Sequence, residues 1–105
     1  MIASMAEINY AGLALHNPLG TVDTMASAHV AMASPNFVAL EFLHPQPAFA
    51  DSLTDEPLPI ESGWLTVPRR PGLGIDLDVE ACRARPYRPT DQPGWWNEDG
   101  SVADW

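Results

Sequence analysis

His16 and Glu41 are the two residues whose types and positions most favour chemistry. His16 follows the apolar run of residues 12–15, and Glu41 follows the apolar run of residues 37–40. Because neither run alternates with polar residues, both are typical of strands covered on both faces in a parallel sheet. The carboxyl ends of such strands meet at one edge, where α/β folds place their active sites. A histidine there can be a general base and a partly desolvated glutamate a hydrogen-bond donor, unless both residues simply end strands at the solvent boundary.

The other reactive side chains carry weaker signals. His29 lies inside a predicted helix on a stripe with Met25 and Met32, which is typical of a packed core histidine. His44 lies in a proline-rich loop without a second ligand at metal-binding spacing. Cys82 is the only cysteine, so it cannot form an internal disulfide, and we expect a structural thiol.

Two short motifs resemble ligand sites without their required context. The Gly-x-Gly at residues 72–74 is neither preceded by a strand nor followed by a third glycine, as a dinucleotide site would need. Asp76, Asp78 and Glu80 alternate along the chain but lack the glycine and the distal glutamate of a calcium loop. A helix N-cap at Asp78 explains this segment better.

A strand, a helix and a second strand are predicted to position His16 and Glu41. Residues 17–20 are turn formers, Thr21 is a plausible N-cap, and the helix should end at Ser34-Pro35, because the residue before a proline disfavours the α conformation. A helix of about a dozen residues between two parallel strands makes a right-handed βαβ unit. Residues 1–9 read as the tail of a preceding helix.

Charge divides the chain into two unlike parts. Residues 1–50 contain three acids and no arginine, whereas residues 51–105 contain eleven acids and all five arginines. We therefore expect residues 1–50 to be largely buried and residues 51–105 to form an extended, proline-rich wrap. The wrap should contain short strands around Ser62-Gly63 and a short helix after Asp78. Three of its tryptophans, Trp95, Trp96 and Trp105, require a surface to pack on.

Composition excludes several classes of function. A length of 105 residues with 46% hydrophobic residues suits one small domain. The net charge of −9 repels phosphate backbones and anionic lipid surfaces, so we expect no nucleic-acid partner and no membrane partner. The chain contains no lysine, which excludes Schiff-base chemistry and a phosphate-loop lysine. Since it shows neither a basic leader nor an apolar run of about 18 residues, we expect a cytoplasmic protein.

Seven segments, taken in order, resemble a known family. The segments are residues 15–20 (LHNPLG), 26–29 (ASAH), 35–37 (PNF), 40–41 (LE), 63–68 (GWLTVP), 70–74 (RPGLG) and 99–105 (DGSVADW). They are similar to the C-terminal end of mandelate racemase-type members of the enolase superfamily, and in particular to the galactonate dehydratase-like acid-sugar dehydratases. Each motif is short, but their succession is specific.

The resemblance implies an α/β fold, a modified TIM-type (β/α) barrel of which this chain would supply about the last two strands and the C-terminal tail. Residues 1–50 would then be the last βαβ portion, and residues 51–105 the wrapping segment of the same domain. In such enzymes the histidine after the seventh strand removes the proton α to the substrate carboxylate, and His16 matches it. The glutamate after the eighth strand hydrogen-bonds that carboxylate, and Glu41 matches it. The family pattern often reads Ala-Pro before the histidine, where this sequence has Leu15.

The resemblance also implies a cofactor and partners. Mg²⁺ is expected in the full-length parent, where it would stabilise the enediolate, but this chain alone offers no residues to bind it. Its ligands, the aspartate that pairs with the histidine and the second acid/base group would lie on strands outside this chain, because such a barrel needs roughly 250 residues. The expected partners are an aldonate substrate in the parent enzyme and either an N-terminal partner chain or further copies of this one.

These inferences identify the sequence as the C-terminal fragment of a magnesium-dependent sugar-acid dehydratase, inactive alone. Two alternatives remain open. One is a racemase, or a dehydratase of different specificity, in the same family. The other is a non-catalytic product, either a truncated remnant or one subunit of a split enzyme.

Overall fold

The computed structural model describes residues 1–18, 20–43, 50–89 and 96–102. Its elements are α1 (Ile2–Ile8), β1 (Leu13–Leu15), α2 (Thr21–Met32), β2 (Phe37–Leu40), a 3-10 turn (Ala50–Leu53), β3 (Ile60–Glu61), β4 (Trp64–Leu65) and α3 (Val79–Arg83). β1 and β2 pair in parallel, and β3 and β4 form an antiparallel hairpin around Ser62-Gly63. The predicted βαβ unit, the N-terminal helix and the hairpin are confirmed. The inferences about His44, Trp95 and Trp105 lie outside the described residues.

The N-cap of α2 is Gly20, so the prediction of Thr21 is wrong by one residue. The carbonyl of Gly20 accepts the backbone N–H of Thr24 at 3.0 Å, which makes Thr21 the first helical residue. Gly20 has a φ of 98°, a conformation that a residue with a Cβ adopts only under strain. The helix ends at Met32, just before Ser34-Pro35, as the proline requires.

The strand pair contains one register shift. Leu13 pairs with Phe37, but Ala14 pairs with Ala39 and Leu15 with Leu40, so β2 carries one residue more than β1. The unmatched residue is Val38. Its Cγ2 lies 2.5 Å from the point that a Cβ on Gly12 would occupy, so the missing side chain of that glycine leaves room for the bulge.

The core is small and is built mainly from α2. Met25, Ala28 and Ala31 are buried, whereas Met32 is 76% exposed, so the predicted stripe of Met25, His29 and Met32 is wrong at its C-terminal end. Twelve helical residues span about 18 Å, whereas the three and four residues of the strands span about 10–13 Å. The helix is therefore longer than the strands, and its last residue, Met32, is left uncovered. His29 is half-buried, and its Nε2 lies 3.2 Å from the carbonyl oxygen of Leu73.

The expectation that the first half is largely buried is wrong for this chain. Ile2 and Ile8 are each 78% exposed, and Val38 is 69% exposed. One helix can cover only one face of a two-stranded sheet, so the apolar residues of the strands and of α1 remain at the surface. In the described ranges, no helix combines the length and apolar character needed to cross a bilayer.

Residues 50–89 are held together by turns and exposed charges. Thr54 and Leu77 form an isolated antiparallel bridge. Beside this bridge, Arg70 pairs with Asp55 at 2.7 Å and also with Asp76. The backbone N–H of Ala81 donates to Asp78 Oδ1 at 2.9 Å, which confirms the predicted cap of α3.

Candidate active site

His16 and Glu41 lie side by side at the carboxyl ends of β1 and β2. The backbone N–H of Glu41 donates to the carbonyl of Leu15 at 3.0 Å, which continues the parallel pairing one residue beyond the strands. The Nδ1 atom of His16 is 2.7 Å from Oε2 of Glu41. The prediction that the two side chains share one edge of the sheet is therefore confirmed.

The contact between them determines which ring nitrogen of His16 is available. A carboxylate accepts hydrogen bonds, so Nδ1 must carry a proton in this arrangement, both in the neutral ring and in the imidazolium. The neutral ring then has its lone pair on Nε2. The His16 side chain is 81% exposed and that of Glu41 51%, so a small molecule can reach both groups. The pair can remove a proton through Nε2 and hydrogen-bond a bound group through the second carboxyl oxygen.

Asn17 is a third residue of this site, and sequence reasoning treated it only as a turn former. It is 1% exposed. Its Nδ2 donates to the carbonyl of Glu41 and to Thr24 Oγ1, each at 3.0 Å. Its backbone N–H donates to Oε2 of Glu41 at 3.2 Å. A polar Thr24 beside Met25 on the buried face of α2 was the one available signal that a polar partner lay beneath the helix.

The remaining candidate residues lie apart from this pair or are engaged elsewhere. His29 contacts Leu73 rather than the site. Asp76 pairs with Arg70, Asp78 caps α3, and Glu80 pairs with Arg83 at 2.5 Å; these contacts account for the alternating acids. Cys82 is a half-buried free thiol in α3.

The described residues do not fit a magnesium ion. Among them, no three His, Cys, Asp or Glu side chains come together as a metal-binding group. Mg²⁺ prefers octahedral oxygen ligands. The candidate site offers a single carboxylate, and one of its oxygens already accepts hydrogen bonds from His16 and Asn17.

Comparison with known proteins identifies one family. Residues 1–81 match the family model described as "Enolase C-terminal domain-like". The D-xylonate dehydratase of Haloferax volcanii is 41% identical over 83 residues, which cover 79% of this chain and 20% of that protein. The D-galactonate dehydratase of Cronobacter sakazakii is 37% identical over 114 residues, which cover 99% of this chain and 29% of that protein.

Solved structures show the same likeness. A Burkholderia xenovorans protein, solved with magnesium and fumarate bound, superimposes with a TM-score of 0.76 at 35% identity. That match covers 81% of this chain and 21% of the other. The chain thus spans between about a fifth and three tenths of the length of these relatives.

Proposed function

The chain belongs to the enolase C-terminal domain-like family, of mandelate racemase type, and from this premise we propose that it is the C-terminal part of a sugar-acid dehydratase. The proposed reaction removes the proton α to the carboxylate of an aldonate and eliminates water to give a 2-keto-3-deoxy acid. The observation that carries the proposal is the 2.7 Å contact between His16 Nδ1 and Glu41 Oε2 at the carboxyl ends of adjacent parallel strands. The names of the D-galactonate and D-xylonate dehydratase relatives support the substrate class.

In this proposal His16 is the general base. Its Nε2 takes the α-proton, and the electron pair of the broken C–H bond passes into the carboxylate to form an enediolate. The pair then returns to expel the β-hydroxyl, which leaves as water with a proton from the second acid/base group that the resemblance implies outside this chain. The resulting enol tautomerises to the keto acid. A positioned base typically contributes about 10²–10⁴-fold to such a step. In this structure the Glu41 carboxylate contacts Nδ1, which leaves Nε2 for the substrate. In the whole enzyme the ring would also be paired with the aspartate outside this chain.

Glu41 has a second proposed role toward the substrate. Its Oε2 accepts hydrogen bonds from His16 and from the backbone of Asn17. The other carboxyl oxygen, when protonated, can donate a hydrogen bond to the substrate carboxylate as negative charge develops on the enediolate. A donor aimed at developing charge stabilises the transition state more than the ground state.

The rest of the proposed enzyme is a modified (β/α) barrel in which β1 and β2 are the last two strands. Residues 1–50 supply the βαβ portion and residues 51–105 wrap over it, as the contact between His29 and Leu73 suggests. Mg²⁺ would be held by carboxylates outside this chain. The exposed apolar residues of α1 and β2 support packing against further protein, either the N-terminal part of the same enzyme, a separate partner chain or another copy.

A hybrid enzyme tests the function directly. The segment of the Cronobacter sakazakii D-galactonate dehydratase that matches this chain is replaced by residues 1–105, and the hybrid is assayed with a panel of aldonates. We expect dehydration that His16→Asn reduces by at least about 10²-fold. Glu41→Gln should keep part of the activity because it retains a hydrogen-bonding group, whereas Glu41→Ala should lose more.

The matched control is His29→Asn, which removes a histidine of α2 that does not contact the candidate site. Exchange of the α-proton with solvent deuterium is measured in parallel. Exchange without elimination would indicate a racemase of the same family instead. A folded hybrid in which His16→Asn changes neither turnover nor exchange would show that His16 is not the base.

A further inference from the structure

Tyr10 has a backbone conformation that is costly for a residue with a side chain. Its φ is 56°, in the left-handed region that glycine favours. It follows the C-cap of α1, and the backbone N–H groups of Tyr10 and Ala11 donate to the carbonyls of Glu7 and Ala6, each at 2.9 Å. These are the two hydrogen bonds of a Schellman motif, in which the left-handed position is usually a glycine. A tyrosine therefore destabilises this turn relative to glycine.

The side chain of Tyr10 does not compensate for this cost within the chain. It is 100% exposed, and its hydroxyl makes no hydrogen bond to the described residues. Strained backbone residues are found most often at functional sites, where the surrounding structure maintains them. Tyrosine is also enriched at protein interfaces, because its ring is apolar and its tip can hydrogen-bond. The strain and the exposure together indicate that the ring contacts another molecule.

A recess lies beside Tyr10, at the amino-terminal ends of β1 and β2. It has a volume of about 400 Å³, and its lining includes Glu7 and Tyr10 from the end of α1 and Pro35, Phe37 and Val38 from the start of β2. Phe37 and Val38 are 39% and 69% exposed, so part of this lining is apolar surface open to solvent. We call residues 7–12 and 35–38 the amino edge. A projecting aromatic ring and a partly apolar recess are thus neighbours on one surface.

The amino edge remains at the surface when the proposed barrel is complete. A barrel closes through the sides of its strands, and the turns that lead into the strands stay at one end. Tyr10 precedes β1 and Pro35 precedes β2, whereas His16 and Glu41 follow these strands at the opposite end. A partner bound at the amino edge therefore leaves the candidate active site open.

The distribution of charge favours a second copy of this chain as the partner. Residues 1–43 contain three acids and no arginine or lysine. Asp23 lies in the first turn of α2 and Glu41 follows β2, so both belong to the opposite end, and Glu7 is the one acid of the amino edge. Because the chain carries a net charge of −9, two copies repel each other least where each presents few charges.

The groups of the amino edge also complement one another. The exposed Glu7 carboxylate can accept a hydrogen bond and makes none with the described residues, whereas the Tyr10 hydroxyl is a donor without an acceptor. The ring of Tyr10 likewise matches the apolar part of the recess. A two-fold contact needs a self-complementary patch, because both copies present the same residues. A projection beside a recess meets this requirement.

We propose that the amino edge is a homodimer interface, in which Tyr10 of each copy enters the recess of the other copy near Glu7. The exchange of two tyrosine rings accounts for a residue that strains its own turn. This inference goes beyond the proposed function and does not depend on it, since none of these residues belongs to the candidate active site. The two therefore fail separately.

The first test is the oligomeric state of the full chain, measured by sedimentation velocity at protein concentrations up to about 1 mM. We expect a reversible monomer–dimer equilibrium whose Kd rises at least about 10-fold in Tyr10→Gly, because a central aromatic anchor is lost. The matched control is Tyr87→Gly, which removes an 87% exposed tyrosine outside the amino edge and should change Kd less than about twofold. A chain that stays monomeric, or equal effects of the two changes, would overturn the proposal.

The second test separates an interface role from a structural one. At concentrations where parent and variant are both monomeric, Tyr10→Gly should unfold at a higher urea concentration than the parent, because glycine relieves the strain of the positive φ. Weaker association combined with greater stability is expected only if the ring serves a partner. A lower urea midpoint in Tyr10→Gly would show that the ring stabilises its own fold, and the proposal would fail.

The third test locates the contact. Isotope-filtered NOE spectra of a mixture of ¹³C-labelled and unlabelled full chain detect contacts between copies only. We expect NOEs from the ring protons of Tyr10 in one copy to the methyl groups of Val38 in the other. A dimer whose NOEs between copies arise only from residues outside the amino edge would show that this surface is not the interface.

Discussion

The strand–helix–strand unit of residues 13–41 and the segment of residues 50–89 hold their shapes by different means. In the first, a buried helix face and a buried amide fix the geometry, and the candidate site lies at its edge. The second region is held together by a backbone bridge, by tight turns and by an exposed arginine that pairs with two aspartates. The difference teaches that the candidate site lies on the region whose geometry depends on packing, whereas residues 50–89 depend more on contacts between exposed groups.

Met25→Ala should produce the largest effect and would locate the stability of the first region in α2. Met25 is fully buried, so truncation removes apolar contacts and leaves a cavity, at a cost of about 2–5 kcal/mol in the free energy of unfolding. Met32→Ala is the control on the same helix, because Met32 is 76% exposed and should cost less than about 0.5 kcal/mol. Urea unfolding followed by circular dichroism measures both. Similar costs would mean that α2 does not pack as described.

Gly74→Ala should produce the next largest effect and would test the turn geometry of the second region. Gly74 has a φ of 78°, and an added Cβ would lie 3.0 Å from Cβ of Pro68. Strain and crowding together should cost about 2–3 kcal/mol. Gly72→Ala is the control, because Gly72 has a φ of 70° but open space around it, which leaves only the strain of about 1 kcal/mol. The midpoint temperature of thermal unfolding should therefore be lower for Gly74→Ala than for Gly72→Ala. Equal midpoints would show that crowding against Pro68 does not add to the cost of the change at Gly74.

Acid should loosen the second region, with the smallest of the three effects. The backbone N–H of Asp76 and the Arg70 guanidinium hold the pKa of Asp55 below its ordinary value of 3.8. A lowered folded-state pKa stabilises the fold above about pH 3.8, and this contribution is lost as the pH falls through the lowered value. Amide chemical shifts of Asp55 and Asp76 should report the opening in that range.

The comparison can be sharpened with two arginine variants. Arg70→Gln should make the acid-induced change at Asp55 begin at higher pH, because one cause of the lowered pKa is removed. Arg83→Gln is the control, since among the described residues Arg83 pairs with Glu80 inside α3 and not with Asp55 or Asp76. If the amides of β1 and β2 shift at the same pH as those of Asp55 and Asp76, the two regions do not respond separately to acid.

Much of the first region could be predicted because its signals are local. Continuous apolar runs, turn residues and a proline after the helix predicted the βαβ order, and strand ends in parallel predicted that His16 and Glu41 meet. Asp78 was recognisable as a cap because a cap acts within one turn of its own helix. The extent of burial was not predictable in this way, because it depends on how much surface two short strands and one helix can cover.

The contacts that were missed join residues distant in sequence. The polar role of Asn17 depends on the carbonyl of Glu41, 24 residues later, and no local pattern distinguishes it from an ordinary turn asparagine. Arg70 likewise joins Asp55 to Asp76, and the alternating acids suggested only a cap or a calcium loop. The N-cap of α2 was predicted one residue too late, at Thr21, because Gly20 with its positive φ occupies the N-cap position.

The register shift caused by the extra residue in β2 determines which residue stands beside His16. β1 advances two residues from Leu13 to Leu15, while β2 advances three from Phe37 to Leu40. In an unshifted pair Leu40 would stand next to the imidazole, and the carboxylate of Glu41 would come one residue later, on the opposite face. The apolar residues of β2 could thus be exchanged for others of similar size, but closing the bulge with all four of them kept would place Leu40 instead of Glu41 beside His16.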